Sequence, residues 1–531
     1  MQAFAQLIAQ IDASSGTNAK VAALLDYLHQ SSDDDKLWCI ALLSGKRPPR
    51  PVRSSLLREL AAQVSGIPLW LVEESYHVVG DLAETAALLT PTNEEQSELS
   101  LSELMQELGA LRKMDDEAAG AYIRATWQKL SRYERFVFNK LITGGFRIGV
   151  SQRLMVRALA RYLDEDPNTI AHRLMGAWSP GDVQFEDLLR NPRPNENLSR
   201  PYPFYLAYPL EEAPDQLGEL GQWQVEYKWD GIRGQLICRK GKLYLWSRGE
   251  ELVTERYPEL GELDGSAWPD VVIDGEILAY KEGKPLPFGL LQKRIGRKKP
   301  GKKVQEEVPV VLKAYDLLEW HGEDIRHKAL RERRKKLEIL VDQVNSSNIL
   351  LSPKLEVETW EQAAALRTEC RALAAEGLMI KHLDGEYKTG RKRGEWWKWK
   401  VDPMSIDAVL IYAMRGHGRR ANLFSDYTFA VWKASELVPI AKAYSGLSDK
   451  EMAEVDRFVK RNTIERFGPV RSVQPELVFE LGFEGIAESK RHKSGIALRF
   501  PRMLRWRKDK AAAEANSLED VKAFLRAQAR T

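Results

Sequence analysis

Residues 226–233 read Glu226-Tyr227-Lys228-Trp229-Asp230-Gly231-Ile232-Arg233, and the rest of the chain is read outward from them. An extended-looking run, 223–225, leads in and a second, 235–238, leads out. Side chains alternate faces along a strand, so Glu226, Lys228 and Asp230 are expected on one face and Val225, Tyr227 and Trp229 on the other. Gly231 permits a turn at which backbone approaches a ligand closely. A lysine between two carboxylates, ahead of a glycine and an arginine, suits a nucleophile for a phosphoryl group. A charged edge strand is the bland alternative for so short a motif.

With 531 residues, the chain has length for about three or four domains. Its 44% hydrophobic and 29% charged content is that of an ordinary soluble globular protein. Net charge is only +3, so any nucleic-acid reading rests on local clusters. Cys39, Cys238 and Cys370 lie far apart and offer neither a zinc-ligand pair nor a disulfide framework, which fits a reducing compartment. Residues 1–12 lack the basic start and apolar core of a signal peptide, and no apolar run is long enough to span a bilayer. A cytoplasmic protein, nucleoid-associated if bacterial, with no membrane partner is expected.

Residues 1–190 read as helical. Apolar residues recur at three- and four-residue spacing over 3–11, 21–28, 56–64, 102–111 and 117–130. The loop Thr143-Gly144-Gly145-Phe146-Arg147-Ile148-Gly149-Val150-Ser151 sets glycines, hydroxyls and an arginine ahead of a helix. Such a helix N-terminus can cradle phosphate; plain helix capping is the alternative. Residues 191–203, rich in Pro and Asn, read as a linker. From 204 to 403 strands alternate with helices, giving an α+β domain with mostly antiparallel sheets. One helix is expected from 324 to 344, and another from Thr359, capped with Gln362, to a stop at Gly377. Residues 404–510 read as short strands with one helix near 449–463, which fits a five-stranded OB-fold barrel, and 511–531 as a C-terminal helix and tail.

Later clusters each have a bland reading alone. Ser247-Arg248-Gly249-Glu250 could be a turn, Asp274-Gly275-Glu276 a bulge, Tyr315-Asp316 core packing, and Glu376 a solvated helix end. Trp396-Trp397-Lys398-Trp399-Lys400 is harder to dismiss. Alternation puts Lys398 and Lys400 together with indoles behind them, and two ammonium groups so placed call for an anion such as phosphate.

Taken in order, these clusters resemble the motifs of the covalent nucleotidyltransferases, and most closely the ATP-dependent DNA ligases. Lys-x-Asp-Gly-x-Arg at 228–233 resembles motif I. The clusters at 247–250, 274–276, 315–316, 376–381 and 398–400 resemble those that follow it, and Arg499-Phe500-Pro501-Arg502 with Arg505-Trp506-Arg507 resembles motif VI. The 131–174 block looks like the family's DNA-binding domain. The resemblance implies Lys228 as nucleophile on the α-phosphate of ATP, with Lys398 and Lys400 neutralising the transferring phosphate. It places Glu226 beside the adenine, and Arg233 and Arg248 on nucleotide or nick 5′-phosphate. Glu276 would meet ribose or metal, Tyr315 stack on the base, and Glu376 hold Mg²⁺. Arg502 and Arg505 would orient pyrophosphate, although Lys508 stands where relatives often carry an acid. Thr143, Gly144, Arg147, Gly149 and Ser151 would grip duplex backbone.

The expected partner is nicked double-stranded DNA, encircled by a monomer that pivots at Val401-Asp402-Pro403. Basic runs at 293–303, 391–393, 415–420 and 490–493 mark its footprint. The alternatives are an RNA ligase or mRNA-capping nucleotidyltransferase and, from another class, a non-catalytic DNA-clamping protein. NAD⁺ as donor is disfavoured by the missing zinc-type cysteines.

Overall fold

The computed structural model describes residues 1–531 except 15, 47, 92–98, 145–149, 176–177, 191–197, 250, 298, 417–422, 468 and 530–531. The chain forms two compact units. One comprises Met1–Ala23, Trp38–Val150 and Asp402–Thr531; the other comprises Leu24–Leu37 and Ser151–Val401. Among the described residues, no helix is long and apolar enough to cross a membrane.

In the first unit, helices run from Gln2–Ala13 to Arg132–Thr143. Ser100 with Glu103 and Ser131 with Glu134 form capping boxes that satisfy the first turns of two of them. Arg135 is fully buried and donates to Thr90 O and Oγ1, Trp127 O and Leu130 O at 2.8–3.1 Å. Asn139 accepts from the Trp127 indole at 2.8 Å and donates to Ala83 O at 3.2 Å. Both terminal nitrogens of Arg135 and the Asn139 side chain are paired in a way that fixes helix register, which an apolar stripe alone would leave loose.

The same unit carries the C-terminal β region. Its main sheet runs, in spatial order, through Glu436–Ala443, Phe424–Lys433, Met404–Arg415, Val470–Val473 and Thr463–Phe467; Val478–Phe483 also pairs with Met404–Arg415, and Arg502–Trp506 pairs in turn with Val478–Phe483. This exceeds the five strands expected: Thr463–Phe467 forms an added antiparallel hairpin, and Gly485–Glu488 pairs with Ile496–Arg499. The helix read near 449–463 is Asp449–Arg461, started by a capping box at Ser448 and Glu451.

Two sheets make the second unit's frame. The larger orders Ile349–Leu351, Val310–Trp320, Val271–Lys281, Ile232–Arg239 and Lys242–Ser247, all antiparallel except the first pair. The smaller orders Tyr208–Pro209, Trp396–Lys400, Ala375–His382 and Trp223–Trp229. The chain crosses from the smaller sheet to the larger at Asp230-Gly231, between Trp223–Trp229 and Ile232–Arg239. Gly231 is needed for that crossing, since a Cβ there would lie 2.4 Å from Ile277 O. The close approach that the structure shows is to the neighbouring strand. Lys240-Gly241 forms a two-residue hairpin turn, with both residues at positive φ.

Three expectations are corrected. The first helix spans Leu330–Val344, because Glu323–Asp324 is a strand and Asp324 takes the amide and guanidinium of Arg326. The second is Trp360–Glu369 plus a 3₁₀ turn, Cys370–Leu373. Gly377 therefore ends no helix. It sits in a bulge of Ala375–His382 at φ +145°, its Cα so close to Trp399 that an added Cβ would lie 2.3 Å from Trp399 O. The linker also ends earlier than read: Tyr202 exchanges 2.7 and 2.8 Å bonds with the Gln235 side chain and donates to Glu319 at 2.8 Å.

Gly377→Ala should cost about 1–3 kcal/mol, the usual penalty of a disfavoured backbone conformation, before the collision with Trp399 is added. A lower urea midpoint by tryptophan fluorescence would show it.

Candidate active site

Register decides which side chains meet. Met379 lies opposite both Glu226 and Lys398, and Gly377 opposite Lys400. Directly opposed residues share a face, so Glu226, Lys228, Lys398 and Lys400 project from one side of the smaller sheet. Tyr227, Leu378, Trp397 and Trp399 take the other, where Val225, Leu378 and Ala363 form a core with Tyr227 and Trp399 against it. The bulge at Gly377 turns Glu376 onto the lysine side: it is ion-paired with Lys228 through Oε1 and with Lys400 through Oε2 at 2.8 Å. Burial alone would push the Glu376 carboxyl up, but the two ammonium groups outweigh it and hold the group below its ordinary value. Lys398 is pushed down, first by burial and then by Arg391, Lys228 and Lys400. The closest charge to Lys228 is thus a carboxylate.

Glu226 is buried and accepts from Lys381 Nζ at 3.0 Å and from Gln224. The Lys381 ammonium also stands 4.4 Å from the centre of the Tyr315 ring and 4.7 Å from that of Trp396.

The larger sheet supplies a second hub, Asp274. This fully buried carboxylate takes a two-pronged bond from Arg233 at 3.1 and 2.7 Å, one from Tyr387 at 2.7 Å and one from Tyr315 at 3.3 Å. Arg233 also donates to Tyr205 O at 2.6 Å. Its guanidinium is therefore engaged inside the protein, and the Arg248 amide is tied to Arg233 O at 2.9 Å. Glu276, two residues along from Asp274, is pushed up to about 8, chiefly by burial, with Glu376 and Asp274 adding to the rise and Lys228 and Arg233 opposing it.

Among the described residues no three acidic, His or Cys side chains gather into a metal cage. Mg²⁺ does not need one, since it binds through one or two carboxylates plus phosphate and water. A carboxyl that resists ionisation beside a second acid is a place where a divalent cation would fit, so Glu276 and Glu376 suit that ion.

The other expected residues lie apart from this cluster in the chain. Thr143 ends its helix and Gly144 caps it at φ +71°. Ser151 caps the next helix, accepting from Leu154 N at 3.3 Å. Arg147 and Gly149 lie outside the described residues, as do Glu250, Lys298, Arg419 and Arg420. In the first unit Arg502 pairs with Glu484 at 2.9 Å and Arg505 with Glu480 at 2.6 Å. One member of the basic runs is reassigned: Arg294 is fully buried, bonded twice to Glu259 and to Val308 O and Arg256 O, so it holds the fold together. Asp274 and Lys381 lie inside clusters that the sequence marks, but without a role of their own, and Tyr387 lies in none of them. Alternation with Glu276 puts Asp274 on the same face and could have given it a role; nothing in the sequence flags Tyr387.

Stability should carry the mark of Glu276. Its carboxyl is raised from an ordinary 4.5 to about 8, so the folded chain holds a proton the unfolded chain has released across that window. In magnesium-free buffer, wild-type stability should fall relative to Glu276→Gln as pH rises through it, and a parallel pair of midpoint-against-pH curves would contradict the assignment.

Three family models match the chain: DNA ligase N terminus over residues 1–160, ATP dependent DNA ligase domain over 205–400, and ATP dependent DNA ligase C terminal region over 420–510. A probable DNA ligase of Koribacter versatilis is 32% identical over 560 residues, covering 99% of this chain and 97% of the relative. A DNA ligase of Archaeoglobus fulgidus is 28% identical, covering 99% and 98%. The solved structure named Pmar-Lig_PreS3 shares the fold at TM-score 0.63 and 16% identity, over 95% of this chain and 99% of that one. With helical, α+β and β regions in that order and end-to-end likeness to the Koribacter protein, the chain belongs to the ATP-dependent DNA ligase family.

Proposed function

We propose that this ATP-dependent DNA ligase seals 5′-phosphate/3′-hydroxyl nicks through a covalent Lys228–AMP intermediate. The observation that carries the reading is the face shared by Lys228, Lys398, Lys400 and Glu376, with Lys228 and Lys400 bound to opposite oxygens of one carboxylate. That face is rich in positive charge, as phosphoryl transfer requires when positioning and neutralisation do most of the work.

The Lys228 amine must shed its proton and its pairing with Glu376 before it attacks the α-phosphorus of ATP. A P–N bond forms, the bond to the bridging oxygen breaks, and pyrophosphate leaves with the electron pair. The 5′-phosphate of the nick then displaces lysine to give a 5′–5′ pyrophosphate. The adjacent 3′-hydroxyl finally attacks, expelling AMP. Lys398 and Lys400 neutralise the phosphoryl oxygens throughout. Glu226, held by Lys381 and Gln224, lines the adenine side with Tyr315. Arg248 meets nucleotide or nick phosphate, while Arg233, locked to Asp274, is better suited to holding Tyr315 and the strand crossing in place. Glu276 and Glu376 would hold Mg²⁺, which when bound neutralises phosphate charge and aids in-line displacement.

In this reading residues 1–190 bind DNA, with Thr143, Gly144, Arg147, Gly149 and Ser151 on duplex backbone. Residues 204–403 form the adenylyltransferase domain and 404–510 the OB-fold domain, whose Arg502 and Arg505 orient pyrophosphate. The chain acts as a monomer that encircles the duplex, and the division between compact units at Val401/Asp402 supports a pivot there. An RNA ligase or capping enzyme would favour RNA or GTP, and comparing ATP with GTP and nicked DNA with RNA separates those readings.

Incubation with radiolabelled ATP and Mg²⁺ should leave covalent AMP on the wild type and none on Lys228→Ala. Lys398→Ala, with its fold unchanged by circular dichroism, should label about a hundredfold more slowly, the usual loss on removing one charge-stabilising donor.

A further inference from the structure

Lys400 is the last residue of its strand and stands one residue before the second unit ends at Val401. A strand end is where fraying is easiest. The neighbouring strand, Tyr208–Pro209, reaches only as far as Lys398 and leaves the Lys400 carbonyl beyond it. That carbonyl is taken instead by Arg367, from the helix Trp360–Glu369, whose Nη1 donates to Lys400 O at 2.8 Å. The same guanidinium lies 4.7 Å from the centre of the Trp399 ring. Trp399 is on the sheet face away from Lys228, so Arg367 works from behind the sheet. On the other side of the strand end, Val401 N donates to Glu376 O at 3.1 Å, and the missing side chain of Gly377 admits Lys400, whose Cα would lie 2.6 Å from a Cβ placed there.

We infer that Arg367 is a positioning residue for adenylyl transfer: it clamps the end of the Trp396–Lys400 strand so that the Lys400 ammonium stays on Glu376 Oε2, opposite Lys228. The inference rests on the role given to Lys400 above. It needs a planar fork and not just a positive charge, because one side chain must both stack on an indole and reach a carbonyl. Nothing places Arg367 on the nucleotide, and the sheet separates its guanidinium from the lysine side chains.

The test is single-turnover self-adenylylation in wild type, Arg367→Ala, Lys400→Ala and the double variant. Arg367→Ala should slow the step by about tenfold or more, since small misplacement of a charge-stabilising group is costly, with little change in KM for ATP. In the Lys400→Ala background the same substitution should slow it by less than about twofold, because the two act as one unit. Arg367→Lys should stay slow, and should the alanine variant fold poorly, Arg367→Met, which keeps the apolar cover over Trp399, should show the same slowing of about tenfold or more. An equal loss in both backgrounds, or a fully active Arg367→Lys, overturns the clamp. A fully active Lys400→Ala overturns the role of Lys400 itself and is told apart by that single variant.

Discussion

One carboxylate shared by two lysines organises the catalytic face. Lys228, Lys398 and Lys400 are placed on the same side of a sheet by strand register, and like charges so arranged repel. Glu376 offsets two of them and leaves a surplus of positive charge. The surplus suits a triphosphate, which would compete for the same ammonium groups. The carboxylate can occupy that position only because Gly377 adopts a backbone conformation that other residues avoid.

The site is supported from two directions. The larger sheet presents Asp274, whose carboxylate is saturated by Arg233, Tyr387 and Tyr315 and so fixes three side chains against the strand crossing at Gly231. The smaller sheet is backed by a helix whose Arg367 fastens the strand end. Buried polar groups satisfied this fully rigidify the place where they meet. Rigidity suits a reaction in which correctly placed charge, not a strong base, lowers the barrier.

Alternation made the lysine face readable: Lys398 and Lys400 follow from period two, and Glu226 with Lys228 from the same rule. Gly377 reads as a helix stop because a helical stretch runs almost up to it and a bulge leaves no periodic trace. Arg294 looked like part of a basic surface, since charge runs do not reveal which member finds buried acids such as Glu259. Arg233 carried the expected motif position, yet its partner Asp274 is 41 residues away and their meeting depends on pairing between strands. Tyr387 and Arg367 were invisible for the same reason: their importance lies in contacts that no local pattern encodes. The order of helical, mixed and β regions was legible because helical and strand periods change along the chain, while the extra hairpin was hidden by short, mixed-polarity strands, Thr463–Phe467 largely exposed and Val470–Val473 half-buried.

The most direct measurement is peptide mapping of the adduct after incubation with ATP and Mg²⁺. Expected is a single AMP, acid-labile as a P–N bond requires, on the peptide carrying Lys228. An adduct on Lys398, Lys400 or any other side chain, or an acid-stable linkage, would contradict the assignment of Lys228 as the attacking amine.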